Sequence, residues 1–173
     1  MRPTIDTRQA KSPMPHKEHR LEVLWACDDS ELSEVDMLKW AKAAMNEVTE
    51  TPSEVSLKII SLGEMTELNS DYRGKDKATN VLSFPLNVKG DDGFLVMGDV
   101  AICLDVVKAE AREQNKSLSD HFAHLLVHGV LHLAGYDHEN DEDAQEMEAK
   151  EVRILAAQGI SAPYEIESDK GLK

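Results

Sequence analysis

The chain has 173 residues, 41% of them hydrophobic and 30% charged, enough for one domain with a substantial core and too polar for a membrane protein. Its 33 acidic and 19 basic residues give a formal charge of −14, which disfavours non-specific nucleic-acid binding, since that relies on Lys and Arg neutralising phosphates. The acid is uneven: "DDSELSEVD" and "DHENDEDAQEMEAKE" carry most of it while "YRGKDK" is locally basic, so the average can hide a cationic path to a site.

The N-terminal twenty residues hold basic side chains and closely spaced prolines but no apolar segment, which predicts a mobile tail rather than a secretory signal. Asp6 and the prolines also argue against an organellar transit segment. No apolar run approaches the roughly 18 residues that a spanning helix needs. The expected organisation is a tail over 1–19, one domain over 20–165 and a short tail over 166–173. Cys27 and Cys103 are far apart and each lies in an apolar run, so they read as unpaired strand residues in a reducing, cytoplasmic setting.

"LEVLWAC" reads as a first strand. Ser33 with Asp36 then gives an imperfect capping box, and Val35, Leu38, Ala41, Met45 and Val48 recur at helical spacing. "EVSLKIISL" alternates as a strand does, and "GEMTELNSDYR" suits a short helix. "NVLSFPL" and "FLVMGDVAICL" are extended stretches separated by "NVKGDDG", whose Asp-Gly is a turn signal that would let them pair. "DVVKAEAREQ" is helical, and so is "LSDHFAHLLVHGVLHLA", with Ser119 as the expected cap. An acidic helix runs from near Asp141 to about Gln158 or Gly159. Strands and helices mixed at irregular intervals predict an α/β or α+β sandwich with a small mixed sheet.

"HGVLHLAGYDH", residues 128 to 138, carries the chemistry. His128 and His132 are four apart and share one helix face, so two imidazoles can converge on one ion. Gly135 supplies a left-handed helix end, after which His138 can swing back. His121 and His124 lie on the same stripe, and such a stripe can also simply pack. Residues eight apart are separated by about 12 Å along a helix, whereas zinc holds each nitrogen at about 2.0–2.1 Å, so His124 and His132 cannot share an ion. The pair must therefore be His128 with His132 or His124 with His128, and only the first has a glycine turn and another histidine placed to close the site, so His124 is expected in a supporting role and His121 at the surface or as a cap. Three neutral imidazoles leave a tetrahedral zinc with an open fourth position, the pattern of a catalytic site. The spacing His-x-x-x-His-x-x-Gly-x-x-His is that of metzincin peptidases, but those have Glu directly after the first histidine and here that position is Gly129. Asp137, beside the third histidine, reads either as a hydrogen-bond partner of a ligand or as a turn residue.

The sequence resembles the YbeY family of metal-dependent endoribonucleases of ribosomal RNA maturation and ribosome quality control. The resemblance rests on "HGVLHLAGYDH", "AHLLVHG", "LNSDYRGKDKATNVLSFP", "MGDVAI" and "MEAKEVRILAAQGISAPY", and it spans about residues 21 to 164. It implies an α+β fold: a small mixed four-stranded sheet packed with about five to six helices, including a zincin-like metal-site helix. It further implies that His128, His132 and His138 are the metal ligands, holding one zinc ion, and that Arg73 is functional. A guanidinium can bind phosphate bidentately and stabilise charge developing on a phosphodiester, though an arginine at a helix end is often only a surface residue. The family usually has Asp where this chain has Asn80, which keeps the hydrogen-bonding shape without the charge.

The expected activity is single-strand-specific cleavage of ribosomal RNA, in 16S-type 3′-end maturation and ribosome quality control. Its expected partners are single-stranded ribosomal RNA, the small ribosomal subunit and its assembly proteins, with neither DNA nor membrane. Lys75 and Lys77 would extend the cationic track. A ribosome-assembly factor with a chiefly structural metal is the alternative, and a zinc peptidase, lacking a base at Gly129, carries low weight.

Overall fold

The computed structural model describes residues 18–161, so the expected terminal tails fall outside the described residues apart from Glu18 and His19. His19 is buried: its Nδ1 accepts from the Ser53 amide at 3.0 Å and its Nε2 donates to Asn46 Oδ1 at 3.0 Å.

The described elements are β1 (Arg20–Trp25), α1 (Glu34–Val48), β2 (Ser53–Ile60), α2 (Leu62–Arg73), β3 (Val81–Lys89), β4 (Leu95–Cys103), α3 (Leu104–Glu113), α4 (Leu118–Leu133) and α5 (Asp141–Ala157). The four strands form one sheet in the order β1-β2-β4-β3. β1, β2 and β4 are parallel, and β3 runs antiparallel to β4 along one edge. The Asp-Gly turn closes the β3–β4 hairpin, where Gly93 donates its amide to Gly90 O at 3.1 Å. An α+β fold with a mixed four-stranded sheet and five helices is thus what these residues form, as expected.

Alternation along the strands divides the core. Val55, Leu57 and Ile59 of β2 with Val100 and Ile102 of β4 face the main core, which α1, α4 and α5 complete. Ala101, Cys103, Ile60 and Leu82 point the other way, toward Met65 of α2. The long central helix α4 is apolar nearly all round and correspondingly buried, packing on α1, α3, α5, β3 and β4.

Two local expectations shift. α1 is capped by Ser33, whose side chain accepts from the Asp36 amide, but its buried residues are Met37, Trp40, Ala41, Ala44 and Met45. Val35, expected inside, is 74% exposed, because the helix turns the large Trp40 side of its apolar arc inward. α4 is capped by Ser117 rather than Ser119: the Ser117 hydroxyl accepts from the Asp120 amide at 3.0 Å, and the buried Leu118 already lies within the helix. Both cysteines are unpaired, Cys103 buried and Cys27 half-buried.

Candidate functional site

Helix α4 ends as the glycine spacing predicts. Gly135 has φ +102, its amide donates to His132 O at 3.0 Å, and the Tyr136 amide reaches back to Leu131 O at 3.1 Å. That reversal returns the chain over the helix end and brings His138 to the other two histidines. The ring centroids of His128 and His132 are 4.6 Å apart, those of His132 and His138 5.1 Å, and those of His128 and His138 5.8 Å.

Each of the three histidines offers a ring nitrogen within 4.8 Å of the others, and the Nε2 atoms of His128 and His132 are 3.1 Å apart. Two nitrogens that each bind one tetrahedral zinc at about 2.0–2.1 Å lie about 3.3 Å apart, so the donor set fits such an ion. Burial, with His128 and His138 nearby, pushes the His132 imidazole below the ordinary histidine range, which favours the neutral form that a metal ligand needs.

Sequence spacing left two supporting residues unseen. His121 is buried instead of lying at the surface, and its Nε2 bonds Glu110 Oε1 of α3 at 2.8 Å. His124, also buried, meets Glu151 Oε1 of α5 at 3.0 Å, and Glu151 Oε2 takes the Nδ1 side of His128 at 2.6 Å. Burial pushes the Glu151 carboxyl up, but the two imidazoles outweigh it and bring it down to about 2. A signal for Glu151 existed: it occupies the same helix stripe as the buried Met147, Ile154 and Leu155. Asp137 is half-buried and accepts the His138 amide at 2.7 Å.

Gly129 is where α4 rests on the sheet. A Cβ there would stand 2.7 Å from Val100 Cγ1, and Ser83 Oγ of β3 donates to Gly129 O at 2.9 Å. Asn87 Nδ2 similarly donates to Leu133 O at 3.1 Å, so β3 is fastened along the helix that carries the histidines.

These side chains open onto a cleft of about 700 Å³, lined by His128, His132, His138, Arg73, Tyr72 and β3. Arg73 is exposed at the last position of α2. Gly74, in the left-handed conformation, ends that helix, and the loop beyond is pinned by Asn69, a buried side chain whose Nδ2 donates to Lys77 O at 2.7 Å. Lys75 and Lys77 are exposed on the same loop. Tyr72 is 66% exposed and meets Phe84 of β3 edge-on, ring centroids 5.0 Å apart.

Asn80 also lines the cleft, and its Nδ2 donates to both oxygens of Glu110, at 3.1 and 3.3 Å. The charge missing at position 80 is thus set against a carboxylate supplied by α3. An Asn80→Asp variant would put two carboxylates in contact, removing the Asn80 hydrogen bond that helps hold the Glu110 carboxyl below its ordinary range and adding a repulsion that raises both folded pKa values. Its penalty is therefore present above the unfolded pKa values and relieved in acid. Unfolding measured across pH is expected to show a loss of about 1–3 kcal/mol at pH 7 that shrinks below about pH 4; an unchanged gap at both pH values contradicts this reading.

Comparison with known proteins agrees with this architecture. The sequence profile of the family described as Endoribonuclease YbeY matches residues 25–159. A protein of that name from Colwellia psychrerythraea is 43% identical over 150 residues, covering 84% of this chain and 97% of the relative. Another from Alteromonas mediterranea is 46% identical over 133 residues, covering 77% of this chain and 84% of the relative. The solution structure of a Thermotoga maritima protein superposes with a TM-score of 0.53 at 28% identity, covering 80% of this chain and 91% of that one. With the profile spanning most of the described residues and relatives of this similarity matched nearly end to end, the chain belongs to the YbeY family of endoribonucleases.

Proposed function

We propose that this protein is a metal-dependent, single-strand-specific endoribonuclease of ribosomal RNA maturation and ribosome quality control, with His128, His132 and His138 as ligands of one zinc ion and Arg73 as a catalytic residue. The observation that carries the reading is that three histidine nitrogens and a guanidinium open onto one cleft. When bound, zinc supplies Lewis acidity and lowers the pKa of water toward neutrality. Arg73 clamps the scissile phosphate through paired N–H donors and offsets the charge that develops on its oxygens. Its side chain has no carboxylate partner among the described residues, so it is available to an incoming anion. Lys75 and Lys77 extend the positive track along the RNA backbone, a local basic patch that the overall charge of −14 does not abolish. No described helix is long and apolar enough to cross a membrane, in keeping with a soluble ribosomal RNA substrate in the cytoplasm.

Tyr72, exposed beside Arg73, gives an unpaired base a ring to stack on, a contact that a duplex could not make. A Tyr72→Ala variant is expected to raise KM for single-stranded RNA about 10-fold with kcat little changed; an unaltered KM would remove the ring from substrate binding. The activity itself is tested by incubating purified protein with single-stranded RNA and with small ribosomal subunits, with and without a chelator. Cleavage that the chelator abolishes supports the reading. Protein carrying zinc at full occupancy that cuts neither substrate favours an assembly factor with a structural metal.

A further inference from the structure

Among the described residues Glu151 is the one acidic side chain that is fully buried. A buried carboxylate is costly unless its oxygens are paired, and both of these are, each with a histidine of α4 one turn from the other. Oε1 meets His124 Nε2 at 3.0 Å and Oε2 meets His128 Nδ1 at 2.6 Å. A carboxylate oxygen only accepts, so each imidazole nitrogen facing it donates. For His128 this has a consequence at the far side of the ring. With hydrogen on Nδ1, the lone pair sits on Nε2, the atom that lies 3.1 Å from His132 Nε2.

Resting on the metal reading above, we propose that Glu151 is a positioning residue: it holds His128 in the Nδ1–H tautomer and in the ring orientation that presents Nε2 to a metal ion shared with His132 and His138. Carboxylates that accept from the outer nitrogen of a ligating histidine fix its tautomer and increase its basicity. Here the carboxylate comes from α5 and the histidine from α4, so the packing of α5 against α4 sets the readiness of the site. His124 has the complementary part. Its Nε2 is directed to Glu151 Oε1, which holds the carboxylate in place.

Two measurements test this, neither of which reads activity. In the metal-free wild-type protein, long-range ¹H–¹⁵N spectra of the His128 ring are expected to show the Nδ1–H tautomer; a predominant Nε2–H tautomer overturns the proposal without any variant. In Glu151→Gln, which preserves shape, zinc affinity measured by competition with a chromophoric chelator is expected to fall about 10–100-fold per folded molecule. If Glu151 merely joins the two helices, its replacement lowers the unfolding midpoint and leaves that affinity at the wild-type value, which overturns the positioning role. Wild-type protein that binds no zinc, or a His132→Ala variant that binds it normally, overturns the three-histidine site and this proposal with it.

Discussion

Replacing Arg73 by alanine is expected to lower kcat for single-stranded RNA by about 10²–10³-fold while zinc content and the unfolding midpoint stay at wild-type values. The separation follows from where the side chain sits. Arg73 is exposed at the end of α2, so truncating it strands no buried partner and creates no cavity. Arg73→Lys is expected to recover only part of the loss, because an ammonium lacks the planar fork that grips two phosphate oxygens. His132→Ala should behave differently: zinc affinity and cleavage are expected to fall together, the latter by about a thousand-fold or more, since the proposed ion's Lewis acidity would be lost with it. Steady-state kinetics beside metal analysis on the same preparations distinguishes the two. An Arg73→Ala enzyme with wild-type kcat would exclude the guanidinium from the chemistry.

Gly129→Glu restores the residue that follows the first ligand in metzincin peptidases, yet the expected result is a loss of fold stability and no peptidase activity. The position faces the sheet: an added Cβ would lie 2.7 Å from Val100 Cγ1, 3.2 Å from Val100 Cγ2 and 3.3 Å from Ser83 Oγ. A longer acidic side chain must either force α4 off β4 or bury a charge with no cation to meet it. Denaturant unfolding should show a loss of about 3 kcal/mol or more. A stable Gly129→Glu protein that hydrolyses casein would reverse the argument and reopen the peptidase reading.

Glycine at 129 therefore has two explanations that coincide. Sequence spacing presents it as the absence of a general base, and the structure presents it as the contact that lets the histidine helix lie close against Val100. The second limits the first: a peptidase with this helix packing cannot regain its base at that position.

Much of the molecule was legible from local rules. Ser33 as a cap, the Asp-Gly hairpin, the left-handed Gly135 and the acidic helix from Asp141 depend on interactions within a few residues, which spacing and side-chain chemistry specify directly. The His128, His132 and Gly135 pattern is of the same kind, since helix geometry alone puts the first two rings together and turns the chain toward His138. Which face of α1 turns inward, and whether Ser117 or Ser119 caps α4, were decided by burial of Trp40 and Leu118 against distant elements. The partners of His121, His124 and His128 were decided in the same way. Glu110 and Glu151 lie on other helices, 11 residues from His121 and 23 from His128, and no local periodicity encodes those meetings. Sequence by itself determined that His128, His132 and His138 come together because that geometry is helical and short-range. Only the tertiary structure decided the carboxylates behind it, because pairing a buried charge depends on how α3 and α5 pack against α4.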